Sequence, residues 1–406
     1  MIVKVNPSVA FGRVSAPPSK SMAHRLLICG ALSKESVISG VAFSEDIKAT
    51  LYCLYALGAK VSVKDDTVTI GGIDINKSPF SNKLFCHESG STLRFLIPIC
   101  LAFGGYFTLS GSQRLMARSL EVYEEICKSQ GITFTKGNTD LALCGKLSAG
   151  KYVVRGDISS QFISGLMFAL PLLPQDSIIE IANGLESGSY LNLTIKALAD
   201  FGVRITRYDE KTFYIKGGQT YKNRNLKVEG DYSNSAFFEA FNLIGGNVAV
   251  SNLSSTSAQG DRVYKQMMDE IKNGCPTLDI SDCPDLAPIL ITCAALKNGA
   301  RFKGTHRLKI KESDRGAAMA EELLKFGCKL EVLENEVIVP KTELHSPKLP
   351  LFSHNDHRIV MSLSVLASIY GGEIYGAEAV NKSFPDYFEK LNSIGIKTEV
   401  VTLNET

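Results

Sequence analysis

The chain has 406 residues, 45% hydrophobic and 21% charged, with a net charge of +2. That balance carries no electrostatic footprint for nucleic acid or an anionic membrane surface, and no apolar run is long enough to span a bilayer. The length points to two domains or more. Ten cysteines include no Cys-x-x-Cys pair, so they read as buried thiols of a reducing compartment, not as a disulfide frame or zinc site. The first residues, Met1-Ile2-Val3-Lys4-Val5, read as a strand without a charged lead or apolar signal core, and a cytoplasmic location is expected.

The first chemically distinctive stretch is Pro17-Pro18-Ser19-Lys20-Ser21-Met22-Ala23-His24-Arg25. Two prolines stiffen the entry, Ser19 is a good N-cap, and an apolar run comes next. Lys20 and Ser21 then fall in the first helical turn, where free backbone N–H groups and the positive dipole end attract anions. A lysine there sits at the wrong end of the dipole, and Arg25 adds a second cation. A bound anion would offset that cost.

Further along, one unit recurs. An amphipathic helix ends at a glycine and a strand begins at once, with the glycines at Gly58, Gly131, Gly202, Gly274, Gly327 and Gly395. The gaps are 73, 71, 72, 53 and 68 residues. Glycine at such a stop accepts the left-handed backbone without a Cβ clash. Hairpins are predicted after four of them, turning near Asp65-Asp66, Gly137-Asn138, Asp209-Glu210 and Glu334-Asn335. After Gly274 there is room for one strand before Pro284. Each unit also holds an earlier helix, predicted to start near Ser19, Ser89, Ser159, Asn234, Pro284 and Asn355. Six units make an α/β architecture with three units per half. Lys, Arg, Gln, Asp and His cluster at those helix starts, as a positive anion site would require.

The residues at those starts carry a resemblance. Ser19-Lys20-Ser21-x-x-x-Arg25, Glu88-Ser89-Gly90-Ser91-Thr92-Leu93-Arg94 and Arg114-Leu115-Met116-Ala117-Arg118 come first. Then come Ser159-Ser160-Gln161-Phe162, Lys311-Glu312-Ser313-Asp314-Arg315, Asn355-Asp356-His357-Arg358 and Lys382-Ser383-Phe384-Pro385-Asp386. In this order and end to end, the sequence resembles the 5-enolpyruvylshikimate-3-phosphate synthases. The resemblance implies two similar domains of three βαβαββ repeats each, an inverse α/β barrel, with the active site in the interdomain cleft. One domain would be residues 18–226; the other would combine 1–17 with 227–406.

The implied reaction moves the enolpyruvyl (carboxyvinyl) group of phosphoenolpyruvate to the 5-hydroxyl of shikimate 3-phosphate and releases phosphate. It belongs to aromatic amino acid biosynthesis and needs no cofactor or metal. The implied catalytic residues are Asp285 as base, Glu312 as acid, Lys20 and Lys382. Shikimate 3-phosphate would meet Lys20, Ser21, Arg25, Ser159, Ser160, Gln161, Ser187, Asp285 and Lys311. Phosphoenolpyruvate would meet Lys20, Gly90, Arg118, Gln161, Arg315, Arg358 and Lys382. The partners are these two small molecules, with no nucleic acid or membrane, and the chain is expected to be a monomer.

Charge supports that assignment. Two phosphates and two carboxylates carry roughly −5 to −6. The motif cations Lys20, Arg25, Arg94, Arg118, Lys311, Arg315, Arg358 and Lys382, less Asp285 and Glu312, leave +6. Neighbouring cations disfavour Glu312 as a proton donor until bound anions neutralise them; the sequence places Arg315 on its helical face if Lys311–Arg315 is helical. Glu88, Arg307 and Ser91 depart from common family residues, and His357 reads equally as a site residue or a helix-cap histidine.

Rival readings are weaker. Gly145-Lys146-Leu147-Ser148-Ala149-Gly150-Lys151 nearly matches a phosphate-binding loop, but Tyr152 stands where Ser or Thr should hold magnesium, and Tyr152-Val153-Val154 reads as strand. His354 and His357 lack cysteine or carboxylate partners at a zinc spacing. The sister UDP-N-acetylglucosamine carboxyvinyltransferase has Lys-Asn where Lys20-Ser21 stands, and a loop cysteine absent near Arg114–Arg118. A non-catalytic anion-binding protein would not need buried carboxylates beside its anions.

Overall fold

Five of the six stop glycines take the left-handed backbone in a computed structural model that describes residues 1–184 and 188–401: Gly58 (φ 108°), Gly131 (68°), Gly202 (78°), Gly327 (93°) and Gly395 (91°). Gly274 does not. Its φ is −174°, and the chain runs extended through Cys275-Pro276 into the single strand Thr277–Asp279. Pro276 keeps Cys275 out of the helical region, and the extended chain leads directly from Gly274 into the strand.

The chain forms two compact units, Pro18–Glu229 and Met1–Pro17 with Gly230–Thr406. Strand Asn225–Lys227 pairs in parallel with Ser36–Ser39, which keeps the chain in the first unit three residues beyond the 226 boundary. Five four-stranded sheets share one order, a parallel pair followed by two antiparallel neighbours. The hairpins turn where expected, for instance between Lys60–Lys64 and Thr67–Gly71. In the repeat that stops at Gly274, the sheet is reduced to Phe11–Ser15 paired in parallel with Asn247–Ser251.

Strand Ile2–Asn6 does not trail at an edge. It lies between Gly372–Tyr375 and Lys397–Val401, antiparallel to both, and takes the sheet position filled elsewhere by a local hairpin strand. Val3 and Val5 are buried in the core there.

Inside the Pro18–Glu229 unit, the helices Lys20–Leu32, Gly90–Phe103 and Ser160–Ala169 are buried nearly all round; inside the other, Tyr232–Leu243, Ala287–Leu296 and His357–Tyr370 are. Helices apolar on every face belong in a core, and the amphipathic ones such as Glu121–Ser129 lie outside them. Two starts are displaced from expectation. The helices predicted near Asn234 and Asn355 begin at Tyr232 and His357, capped by the carboxylates of Asp231 and Asp356. A carboxylate cap also gains from the helix dipole, which an amide does not.

Pro98 lies inside the helix Gly90–Phe103 and has no N–H for the carbonyl of Arg94. The Tyr123 hydroxyl supplies the missing donor at 2.6 Å and also lies 3.1 Å from the Phe162 carbonyl. Gly165 lets these groups meet, because a Cβ there would collide with the Tyr123 hydroxyl and the Arg94 carbonyl.

Candidate active site

In the Pro18–Glu229 unit, three helix starts carry expected site residues. Ser19 caps the first, accepting from Met22 N at 3.4 Å, and puts Lys20 and Ser21 in its first turn. Ser89 caps the second, accepting from Thr92 N at 3.2 Å, so Gly90 and Ser91 open that helix. Ser159 caps the third, accepting from Gln161 N at 3.3 Å.

Side chains join two of these starts. Gln161 donates from Nε2 to Ser91 Oγ at 3.0 Å and accepts at Oε1 from Arg94 at 2.9 Å. A Cβ on Gly90 would lie 2.8 Å from Arg118 Nη1 and 3.8 Å from Gln161 Oε1, so only glycine lets that guanidinium rest on the backbone. Arg118 Nε is buried without a hydrogen-bond partner among the described residues. Gly90, Ser91, Arg94, Arg118 and Gln161 therefore form one group. Ser187 lies outside the described residues.

Lys20 and Arg25 are held by protein. Lys20 Nζ pairs with Asp46 at 2.8 Å, a carboxylate that the sequence does not single out. Arg25 is buried and gives Nε to Thr194 Oγ1 (2.8 Å), Nη1 to the Ser21 carbonyl (2.7 Å) and Nη2 to the Tyr190 carbonyl (3.0 Å). Burial pulls its pKa down to about 10, still charged at neutral pH.

In the other unit, three cations converge on Asp285. Its Oδ1 lies 2.7 Å from Arg315 and 3.2 Å from Lys311, and its Oδ2 lies 3.0 Å from Arg358. Burial opposes ionisation, yet Arg358, Lys311 and Arg315 together hold Asp285 well below the usual carboxylate range. Arg315 also reaches Glu312 at 2.9 Å and Asp356 at 2.9 Å. The premise of a helical Lys311–Arg315 segment is wrong: Arg315 is the first residue of the helix Arg315–Leu324, capped by Asp314, and Glu312 precedes it in a loop. The ion pair forms regardless, because Arg315 points back over that loop.

Asp356 is fully buried. It caps Arg358 N at 2.9 Å and accepts from Ser313 at 3.0 Å; burial raises its pKa, but the Arg315 charge prevails and lowers it. Lys382 Nζ donates to the Asn355 carbonyl at 2.8 Å, and His357 is buried next to Asp356. Burial and the charge of Asp285 push Asp261 up to about 7, against Arg358.

Asp46 and Asp261 are the site carboxylates missed in the sequence; Asp356 stands in a motif quoted there, but with no role given to it. With Asp46 and Asp356 each subtracting one, the motif charge falls from +6 to about +4. His354 does lie beside a carboxylate in space, Glu322 at 2.8 Å, although the two are 32 positions apart in the sequence. Glu321, Glu322 and His354 gather as potential metal ligands, but Lys325 Nζ takes both Glu322 oxygens at 2.8 and 2.9 Å, which fills the place a cation would need. The stretch Gly145–Lys151 leads into strand Lys151–Arg155, with no helix start to cradle a phosphate.

Repeated α/β units whose inner helix starts gather cations and carboxylates define a fold already known. An EPSP synthase from Acinetobacter baumannii superimposes with a TM-score of 0.80 over 99% of this chain and 100% of its own, at 22% identity. The family model for EPSP synthase (3-phosphoshikimate 1-carboxyvinyltransferase) matches residues 6–391. Proteins named 3-phosphoshikimate 1-carboxyvinyltransferase from Clostridioides difficile strain 630 and Clostridium perfringens strain ATCC 13124 are each 40% identical over 97% of this chain, and over 97% and 98% of their own. The chain belongs to the EPSP synthase family. It is a transferase, moving an enolpyruvyl group in the shikimate pathway of aromatic amino acid biosynthesis.

Proposed function

We propose that the two residue groups divide phosphoenolpyruvate and shikimate 3-phosphate between them. Lys20, Ser21, Arg25, Ser159, Ser160, Gln161 and Ser187, with Asp285 and Lys311, take shikimate 3-phosphate. Lys20, Gly90, Arg118, Gln161, Arg315, Arg358 and Lys382 take phosphoenolpyruvate. The observation that carries this reading is the grip of Lys311, Arg315 and Arg358 on Asp285. Held so, Asp285 is too acidic to serve as a base near neutral pH. Substrate phosphate and carboxylate groups compete for the same cations. As they bind, Asp285 loses its counter-charges and its proton affinity rises.

Asp285 then accepts the proton of the 5-hydroxyl while that oxygen bonds to C2 of phosphoenolpyruvate. Glu312, freed from Arg315 in the same way, delivers a proton to the methylene carbon, giving a tetrahedral adduct. Loss of a methyl proton and of phosphate restores the double bond. Lys20 and Lys382 stabilise the charge that develops on the departing phosphate. The same reading places the chain in the cytoplasm as a monomer.

The test is phosphate release from phosphoenolpyruvate with shikimate 3-phosphate, and separately with UDP-N-acetylglucosamine. Only the first acceptor is expected to support turnover; release with the nucleotide sugar alone would overturn the reading. Gly90→Ala probes the donor side. Its Cβ would lie 2.8 Å from Arg118 Nη1, so the guanidinium must move. An increase in KM for phosphoenolpyruvate of about tenfold, equivalent to one weakened charged hydrogen bond, is expected. An unchanged KM would remove Gly90 from the donor site.

A further inference from the structure

Behind the Lys20 and Gly90 helix starts runs a buried polar chain that none of the assigned roles uses. His24 Nδ1 lies 2.7 Å from Thr50 Oγ1, Thr50 Oγ1 lies 2.6 Å from Thr92 Oγ1, and Thr92 Oγ1 lies 2.7 Å from Ser89 Oγ. All four residues are at most 1% exposed. The chain crosses three helices, Lys20–Leu32, Glu45–Ala56 and Gly90–Phe103. His24 stands one turn after Lys20, and Thr50 one turn after the Asp46 that pairs with Lys20. At the far end, Ser89 is the cap that opens the helix at Gly90.

The chain has a direction. Burial, with Lys20 and Arg25 nearby, lowers the His24 pKa well below its ordinary value, so the ring is neutral and carries one N–H. Nε2 is buried without a partner among the described residues, and a proton there would be an unpaired buried donor. The N–H is therefore on Nδ1 and donates to Thr50; Thr50 donates to Thr92, and Thr92 to Ser89. Apolar side chains would fill these core positions without the desolvation cost of three hydroxyls. Hydrogen bonds fix separation and angle more sharply than apolar contact does.

We propose that His24, Thr50 and Thr92 are positioning residues, a relay that sets the spacing between the Lys20–Ser21 and Gly90–Ser91 helix starts and so tunes phosphoenolpyruvate binding from a distance. This rests on the reading that Gly90 lines the donor site. Thr92→Val keeps the shape and removes the hydroxyl; Thr92→Ser keeps the hydroxyl. Thr92→Val is expected to lower kcat/KM for phosphoenolpyruvate about five- to thirtyfold, with a smaller loss for shikimate 3-phosphate, which meets the Lys20–Ser21 start but not Gly90. Thr92→Ser restores kcat/KM to within about threefold. Thr50→Val breaks the same relay, so the Thr50→Val/Thr92→Val double variant falls little below either single one.

Equal losses for both substrates, no rescue by serine, or multiplicative losses in the double variant would overturn the proposal. Gly90→Ala on the same assay separates it from the underlying reading. If Gly90→Ala raises KM for phosphoenolpyruvate while Thr92→Val does not lower kcat/KM, the relay fails alone. If Gly90→Ala also changes nothing, both fail. Nitrogen-15 spectra of the unmodified protein give a readout independent of any variant's folding. One of the six histidines must show the Nδ1–H tautomer, and its absence would overturn the relay.

Discussion

Asp285→Asn is expected to lower kcat about a hundred- to ten-thousandfold, the usual contribution of a positioned proton-transfer group. The amide keeps the shape but cannot take the 5-hydroxyl proton. It also releases Lys311, Arg315 and Arg358, at 3.2, 2.7 and 3.0 Å in the parent, from a counter-charge they must otherwise surrender to substrate. Shikimate 3-phosphate should therefore bind as tightly as before or tighter, measurable by calorimetry. The two effects have opposite signs, which a simple loss of structure cannot produce. A fall in turnover of less than about threefold would take Asp285 out of the mechanism.

Arg315→Leu should be the most destabilising single change in the site. Arg315 is 1% exposed and is shared by Asp285, Glu312 and Asp356, so its loss strands buried carboxylates. Breaking a buried pair from one side costs about 3–5 kcal/mol, to be read from urea unfolding.

The Asp356 contribution to the pH dependence should change sign as well. In the parent, Asp356 has a lowered pKa in the folded state. Its stabilisation is complete above the unfolded carboxylate value of about 3.9 and fades as pH falls through the folded one. Without Arg315, burial dominates and lifts the folded pKa above the unfolded one. Asp356 then destabilises the fold near neutral pH, and acidification relieves it. Asp261, held at about 7, already lets the parent gain some stability from pH 7 towards pH 5; the variant should gain more over the same range. Parallel profiles would show that Arg315 does not balance Asp356.

Much of this was legible in the sequence because it rests on local rules. Glycine readily ends a helix, so all six stops could be read, and five of them are left-handed. Gly274 ends its helix as well but in an extended conformation, and Pro276 keeps Cys275 extended after it. Helix starts were readable where the candidate caps were all serines, as at Ser19, Ser89 and Ser159. They slipped where Asn and Asp stand close together and the charged one wins, at Asp231 and Asp356.

The site's cations could be found because a lysine or arginine at a helix start is out of place. Asp285 and Glu312 came with their motifs, but Asp46 did not, since a carboxylate in the first turn of a helix looks like ordinary dipole complementarity. Thr50 and Thr92 were invisible for a similar reason. A hydroxyl on a buried helix commonly bonds its own backbone, and only the packing of three helices shows that these two bond each other.

The placement of strand Ile2–Asn6 has a consequence for how the protein is made. Its two neighbours, Gly372–Tyr375 and Lys397–Val401, leave the ribosome more than 360 residues after it does. The Pro18–Glu229 unit is one continuous stretch and can fold as soon as it emerges. Val3 and Val5 must wait unpaired for most of translation, at about 5–20 residues per second. A β-prone segment with buried-type side chains is then exposed for tens of seconds, where a chaperone or a misdirected edge could claim it. Closing the sheet late makes the last described strand the step that commits the chain to its finished form.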